Sequence, residues 1–110
     1  MAKRPSKYGN TRSSYNGRVF ASKHEASAAA QLDMLRFAKD PKQRVGSVEY
    51  QYRMPIVVNG VKICDYIADF FVKFADGHIE VQDAKGFRTD VYKLKKKMVK
   101  AVYGYDIVEV

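Results

Sequence analysis

Two segments joined by one tight turn limit what this chain can fold into. Tyr66-Ile67-Ala68-Asp69-Phe70 and Glu80-Val81-Gln82-Asp83-Ala84-Lys85-Gly86 read as β-strands from their apolar runs. Each carries a carboxylate where a buried strand should avoid one. Asp76-Gly77 is a hairpin signal and sets the two strands antiparallel. Residues two apart in an extended chain point to one face, so Asp83 and Lys85 stand side by side beyond Ile79 and Val81. Pairing brings Asp69 across from that end. Two carboxylates and an ammonium then converge on the sheet. Such a set can hold a divalent cation through hard oxygen ligands while the lysine stabilises or activates a hydrolytic water. An Asp-x-Lys on a strand is, taken alone, most often a solvated ion pair. Asp69 carries more weight, because Tyr66-Ile67-Ala68 and Phe70-Phe71-Val72 enclose it. Carboxylates in apolar surroundings are generally paired, metal-bound or functional.

The rest of the chain supplies elements around this pair. Ser22-Lys23-His24-Glu25 matches a capping box and starts a helix that runs to about Phe37 or Ala38, ended by Asp40-Pro41. Its apolar residues go nearly all round, which predicts a well-covered helix, and Glu25 shares a face with Ala29 and Leu32. Val45 to Val58 reads as a strand, placed at an edge or broken near Pro55. Asn59-Gly60 turns it into the next strand, about Val61 to Phe74, and a third strand covers about Ile79 to Ala84. Thr89 or Asp90 caps a second helix that reaches about Tyr103 and closes at Gly104. Val91, Leu94, Met98, Ala101 and Val102 form its apolar stripe, with Lys93, Lys96, Lys97 and Lys100 opposite and Lys95 near the stripe's edge. Asp106 to Val110 is a short last strand. The order is helix, three-strand meander, helix, strand, in which a connection through the second helix gives a mixed sheet.

Length allows one domain with a modest core. Residues 1–18 read as a flexible basic arm, with Lys3, Arg4, Lys7, Arg12 and Arg18 unbalanced by any acid, leaving residues 19–110 as the folded domain. The formal charge of +8 points to a polyanionic partner, of which nucleic acid is the commonest. A single cysteine, Cys64, excludes an internal disulfide and a cysteine-rich zinc site, and two histidines make a His-metal nuclease a poor fit. With no apolar run long enough to span a bilayer and no signal peptide, the expected location is the cytoplasm.

The motifs Phe20-x-Ser22-Lys23-x-Glu25, Tyr66-Ile67-Ala68-Asp69-Phe70 and Asp83-x-Lys85-Gly86-Phe87-Arg88-Thr89 together resemble the PD-(D/E)xK nuclease superfamily. Within it they are most similar to a group of small phage proteins. Holliday-junction resolvases of the superfamily are similar in size and layout. The resemblance spans about Gly17 to Val110 and implies a restriction-endonuclease-like α/β fold, an αβββαβ core whose mixed sheet is flanked by two helices. It implies a Mg²⁺-dependent DNA endonuclease, with Mn²⁺ able to substitute, acting on branched DNA in phage recombination or DNA processing within a bacterial host cell. Asp69 and Asp83 would be metal ligands, Glu25 a further ligand directly or through water, and Lys85 the group that orients water or stabilises charge. Arg88, Lys93, Lys95, Lys96, Lys97 and Lys100 would meet DNA. Symmetric cutting of two strands by so small a subunit implies a homodimer. Two positions depart from the pattern: Ala68 stands where many members have Pro, and Gln82 where the phage group has an acid. The competing expectation is a non-catalytic DNA-binding module of the same fold; a protein-interaction factor whose carboxylates only satisfy ion pairs is the third.

Overall fold

The computed structural model describes residues 12–85 and 87–110. The chain is a mixed α/β structure, with a four-stranded mixed sheet and two α-helices. The expected flexible arm lies outside the described residues as far as residue 11. Its last part is folded: β1 (Ser13–Tyr15) and β2 (Arg18–Phe20) form an antiparallel hairpin in the register Ser13↔Phe20, Tyr15↔Arg18. Asn16 and Gly17 make the turn with φ of 51° and 78°, the left-handed pair that a two-residue hairpin loop requires. Charge made this stretch look like a loose arm, while the Asn-Gly signal was the stronger local instruction. Tyr15 ties the hairpin to the first helix by donating its hydroxyl to Asp33 at 3.0 Å.

Helix α1 (Lys23–Met34) begins where the sequence places it, with Ser22 Oγ accepting the Glu25 backbone N–H at 3.1 Å. Glu25, Ala29 and Leu32 share its buried face. A 3₁₀ turn over Leu35–Phe37 continues it, and here the expectation of an all-round covered helix fails. Met34 is 74% exposed and Phe37 87%.

Strands β3 (Val45–Val58) and β4 (Val61–Phe74) make a long hairpin through Asn59-Gly60. β3 is the edge of the sheet, which explains how Pro55 sits inside it opposite Asp65. β5 (Ile79–Asp83) pairs antiparallel with β4, and β6 (Ile107–Glu109) pairs parallel with β5, giving the order β3-β4-β5-β6.

The core has two halves. Phe70, Val72 and Phe74 pack with Phe20, Ala26, Ala29 and Leu32, on the α1 side. Tyr66 and Ala68 pack instead with Met54, Ile56, Val81 and Ile107 and with Tyr92 and Val99 of helix α2 (Asp90–Tyr103). Residues two apart on a regular strand share a face, so the hairpin must turn over between Ala68 and Phe70. Gln51 marks the place. It lies between the paired positions Tyr50↔Phe70 and Tyr52↔Ala68 and has φ of 51°.

Helix α2 starts at Thr89, whose Oγ1 accepts the Tyr92 N–H at 3.0 Å, and ends at Gly104 with φ of 81°. Its orientation corrects the sequence reading. Val91, Leu94 and Val102 of the apolar stripe are 63%, 58% and 42% exposed, while Tyr92 and Val99 are the buried residues. The polar tips on the buried side account for the rotation. Tyr92 donates its hydroxyl to Glu109 at 2.8 Å, Lys95 Nζ donates to the Asp65 carbonyl at 3.0 Å, and the Tyr103 hydroxyl donates to the Pro55 carbonyl at 2.6 Å. Turning the stripe inward would break all three bonds. Among the described residues, no helix is long and apolar enough to cross a membrane.

This arrangement predicts that Val99→Ala costs about 2 kcal/mol through a lost contact and a residual cavity. Leu94→Gln should cost less than ~0.5 kcal/mol, the scale of an exposed substitution. Urea melts of the two variants check the orientation, and a reversed ranking would return the stripe to the core.

Candidate active site

The acids meet where β4 and β5 part. The ladder ends at Phe70↔Gln82, and the next residues in that register are Asp69 and Asp83. There the carboxylates replace the carbonyls as acceptors. The Asp69 N–H donates to Asp83 Oδ1 at 3.1 Å, and the Ala84 N–H donates to Asp69 Oδ2 at 3.0 Å. Glu25 reaches the same point from α1 and is 5% exposed. Gln51 joins the two ends, its Nε2 donating to Glu25 Oε1 at 2.9 Å and to Asp69 Oδ1 at 3.4 Å.

Asp83 is fully buried, and its Oδ2 has no hydrogen-bond partner among the described residues. Burial pushes its carboxyl from the ordinary 3.8 up to about 6, against the opposing pull of the Lys85 ammonium and the Asp69 N–H. Burial likewise raises Glu25, assisted by the negative charge of Asp69 and opposed by a hydrogen bond from the Ala21 backbone. The capping-box expectation gave Glu25 the Ser22 N–H; its carboxylate turns to Ala21 and Gln51 instead. Lys85 lies with Nζ 4.8 Å from the centre of the Tyr92 ring, where it faces the acids electrostatically and makes a cation–π contact.

The donor set is that of a hard cation: buried carboxylates with an unpartnered oxygen and raised affinity for positive charge. Among the described residues, no group of three or more His, Cys, Asp or Glu is arranged to hold a metal ion. Gln51 stands between Glu25 and Asp69, its amide donating to both carboxylates. The sequence reading missed Gln51. Its one signal, a polar residue between Tyr50 and Tyr52, equally fits an outward-facing strand position.

The expected DNA-contacting residues divide into three groups. Arg88 pairs with Glu109 at 2.6 Å, Lys96 with Glu109 at 3.6 Å, and Lys100 with Asp106 at 3.0 Å. The helix has no acid among these lysines, but β6 and the turn before it supply them. Arg88 and the Tyr92 hydroxyl hold the Glu109 carboxyl down at about 2, so it stays charged at any ordinary pH. Lys93 and Lys97 form no ion pair among the described residues, and with Arg88, Lys96 and Lys100 they line a groove of about 480 Å³. Lys95 belongs elsewhere, against β4.

Residues 5–108 match the family described as "Protein of unknown function (DUF1064)". The chain belongs to the DUF1064 family. No curated protein and no solved structure matches it.

The raised Asp83 carboxyl predicts a pH dependence of stability. Between about pH 4 and pH 6 the folded chain holds a proton that the unfolded chain has released, so stability falls as pH rises through that window. Above it, the charged buried carboxylate costs about 3 kcal/mol. Asp83→Asn keeps the acceptor for Asp69 and removes the charge. Its melting temperature should exceed that of the parent at neutral pH and converge with it near about pH 4. A variant less stable than the parent at neutral pH would show that Asp83 carries no such cost.

Proposed function

We propose that this DUF1064 protein is a metal-dependent DNA endonuclease built on a restriction-endonuclease-like αβββαβ core. The observation that carries the reading is the meeting of Glu25, Asp69 and Asp83 from three elements, one carboxylate being fully buried with an unpartnered oxygen. Glu25, Asp69 and Asp83 would hold Mg²⁺ or Mn²⁺, which supplies charge stabilisation at the phosphate and a more acidic water. The chain's own residues do the rest. The Asp69 N–H fixes the Asp83 carboxylate and the Ala84 N–H fixes that of Asp69, so the site is positioned before substrate arrives. Lys85 brings positive charge to the edge of the cluster, where negative charge develops during attack on a phosphodiester. Lys93 and Lys97, in the basic groove, attract the DNA backbone. Branched DNA in the cytoplasm of a phage-infected bacterial cell fits the resemblance, with a homodimer for paired cuts.

A second reading, a DNA-binding module without catalysis, draws on the Gln51 bridge and on the absence, among the described residues, of acids arranged to hold an ion. The two readings differ in the response to divalent metal. A nuclease should cut at least one of linear duplex, single strand, flap or four-way junction with Mg²⁺ and none with EDTA, and Asp69→Ala or Asp83→Asn should abolish cutting. Mn²⁺ should also raise the melting temperature of the parent and leave Asp83→Asn unmoved. A parent that gains no stability from Mn²⁺ and cuts nothing, yet binds DNA, is a binding module.

The ion pairs on α2 give a separate expectation. Replacing Lys93 and Lys97 with Gln should reduce the slope of log K against log salt by about two if both touch phosphate. Replacing Lys96 and Lys100 should reduce it by less, because part of their charge is already balanced by Glu109 and Asp106. Equal losses from the two pairs would mean that those acids do not compete with DNA.

A further inference from the structure

A second groove, of about 280 Å³, runs between β4 and the first turns of α2 and has Lys85 among its lining residues. Its walls join two cations to two unsatisfied polar atoms. Lys85 and Lys95 both line it. Lys95 is held there by donating one hydrogen to the Asp65 carbonyl at 3.0 Å, which leaves an ammonium two further donors. Tyr66 also lines it and is only 3% exposed, yet its hydroxyl has no partner among the described residues. Asp65 Oδ1 is buried and equally without a partner. The other oxygen of Asp65 is balanced by Lys62 at 3.0 Å and Arg53 at 3.7 Å, so the carboxylate does not cancel the lysines of the groove. Ile67 and Val91, 47% and 63% exposed, give the mouth an apolar edge.

Buried polar atoms without partners are uncommon in folded chains and call for an explanation. A hydroxyl and two ammoniums around one opening are donors looking for an anion with several oxygens. The buried Asp65 oxygen in the groove's wall needs a donor, and apolar edges suit the flat face of a base. A nucleotide unit meets all three requirements, through its phosphate, its exocyclic amine and its ring. We propose that this groove binds one nucleotide of a polynucleotide strand, next to the phosphodiester presented to the acids, with the phosphate held by Lys85, Lys95 and the Tyr66 hydroxyl. The nuclease reading enters only in that last placement, since Lys85 borders both the groove and the acid cluster.

Tyr66→Phe is the sharpest probe, because removing an unpartnered hydroxyl takes no hydrogen bond from the folded chain. The experiment is fluorescence anisotropy of a labelled single-stranded oligonucleotide in EDTA, with the full chain and with Tyr66→Phe, Lys95→Gln and Lys42→Gln. Tyr66→Phe and Lys95→Gln should each weaken binding by about 10-fold, the scale of a hydrogen bond to a charged group. Lys95→Gln should also lower the salt slope by about one, whereas Tyr66→Phe should leave it unchanged. Lys42→Gln removes the same charge from the turn before β3 and should weaken binding by less than about 2-fold. Binding by Tyr66→Phe and Lys95→Gln equal to that of Lys42→Gln, or no binding by the parent, overturns the proposal. Stronger loss of binding to anionic phospholipid vesicles than to the oligonucleotide would overturn it as well. Because binding is read without metal, a chain that cuts nothing can still uphold the groove. A chain whose cutting depends on Asp83 can equally lack it.

Discussion

The capture of the Asp69 and Ala84 backbone N–H groups by the carboxylates of Asp83 and Asp69 is the constraint on which the rest of the arrangement depends. Where the β4–β5 ladder stops, two N–H groups would be left without acceptors, and the two carboxylates take them. This closes the hydrogen-bond account while letting the strands diverge. β6 then docks beside β5, and the Val110 N–H donates to the Asp83 carbonyl at 2.9 Å. The same residue thus ends one ladder, extends another and keeps one carboxylate oxygen unpartnered. An apolar residue at position 83 would pack as well and leave the Asp69 N–H without its acceptor.

Opposite this point, the left-handed backbone of Gln51 marks the turnover of the long hairpin. Non-glycine residues hold such a conformation only where the surroundings compensate, and such positions cluster at functional sites. Here the compensation is visible as two hydrogen bonds to carboxylates. The turnover has a second effect. It shares one hairpin between two cores, so α1 can bring Glu25 to the same place from which α2 presents Tyr92 and, through it, Lys85.

Glu109 organises the other side. One carboxylate from β6 binds Arg88, Tyr92 and Lys96, all from the segment that crosses from β5 back to the sheet. That contact helps set the roll of α2 and therefore decides which lysines are spoken for. It also explains the exposed Val91, Leu94 and Val102, which a helix free to follow its own apolar stripe would have buried.

Element types and their order follow from local chemistry: the Ser22 and Thr89 caps, the Asn59-Gly60 and Asp76-Gly77 turns, the Gly104 stop and the alternation along β3 to β5. So does the register that sets Asp69 opposite Asp83, because a hairpin turn fixes pairing residue by residue. Periodicity was misleading for α2, where hydrogen-bond partners distant in sequence outweighed an apolar stripe, and charge was misleading for Ser13–Arg18, where a turn dipeptide prevailed. Nothing in the sequence gives Glu109, Gln51 or the Tyr66 hydroxyl the role that the fold gives it. Each is an ordinary residue on an ordinary strand until the sheet bends and brings a distant element to it. What the sequence by itself determined was local and periodic. What only the tertiary structure decided was which polar atoms meet, since that depends on the turnover at Gln51 and the roll of α2, both products of contacts between residues far apart in the chain.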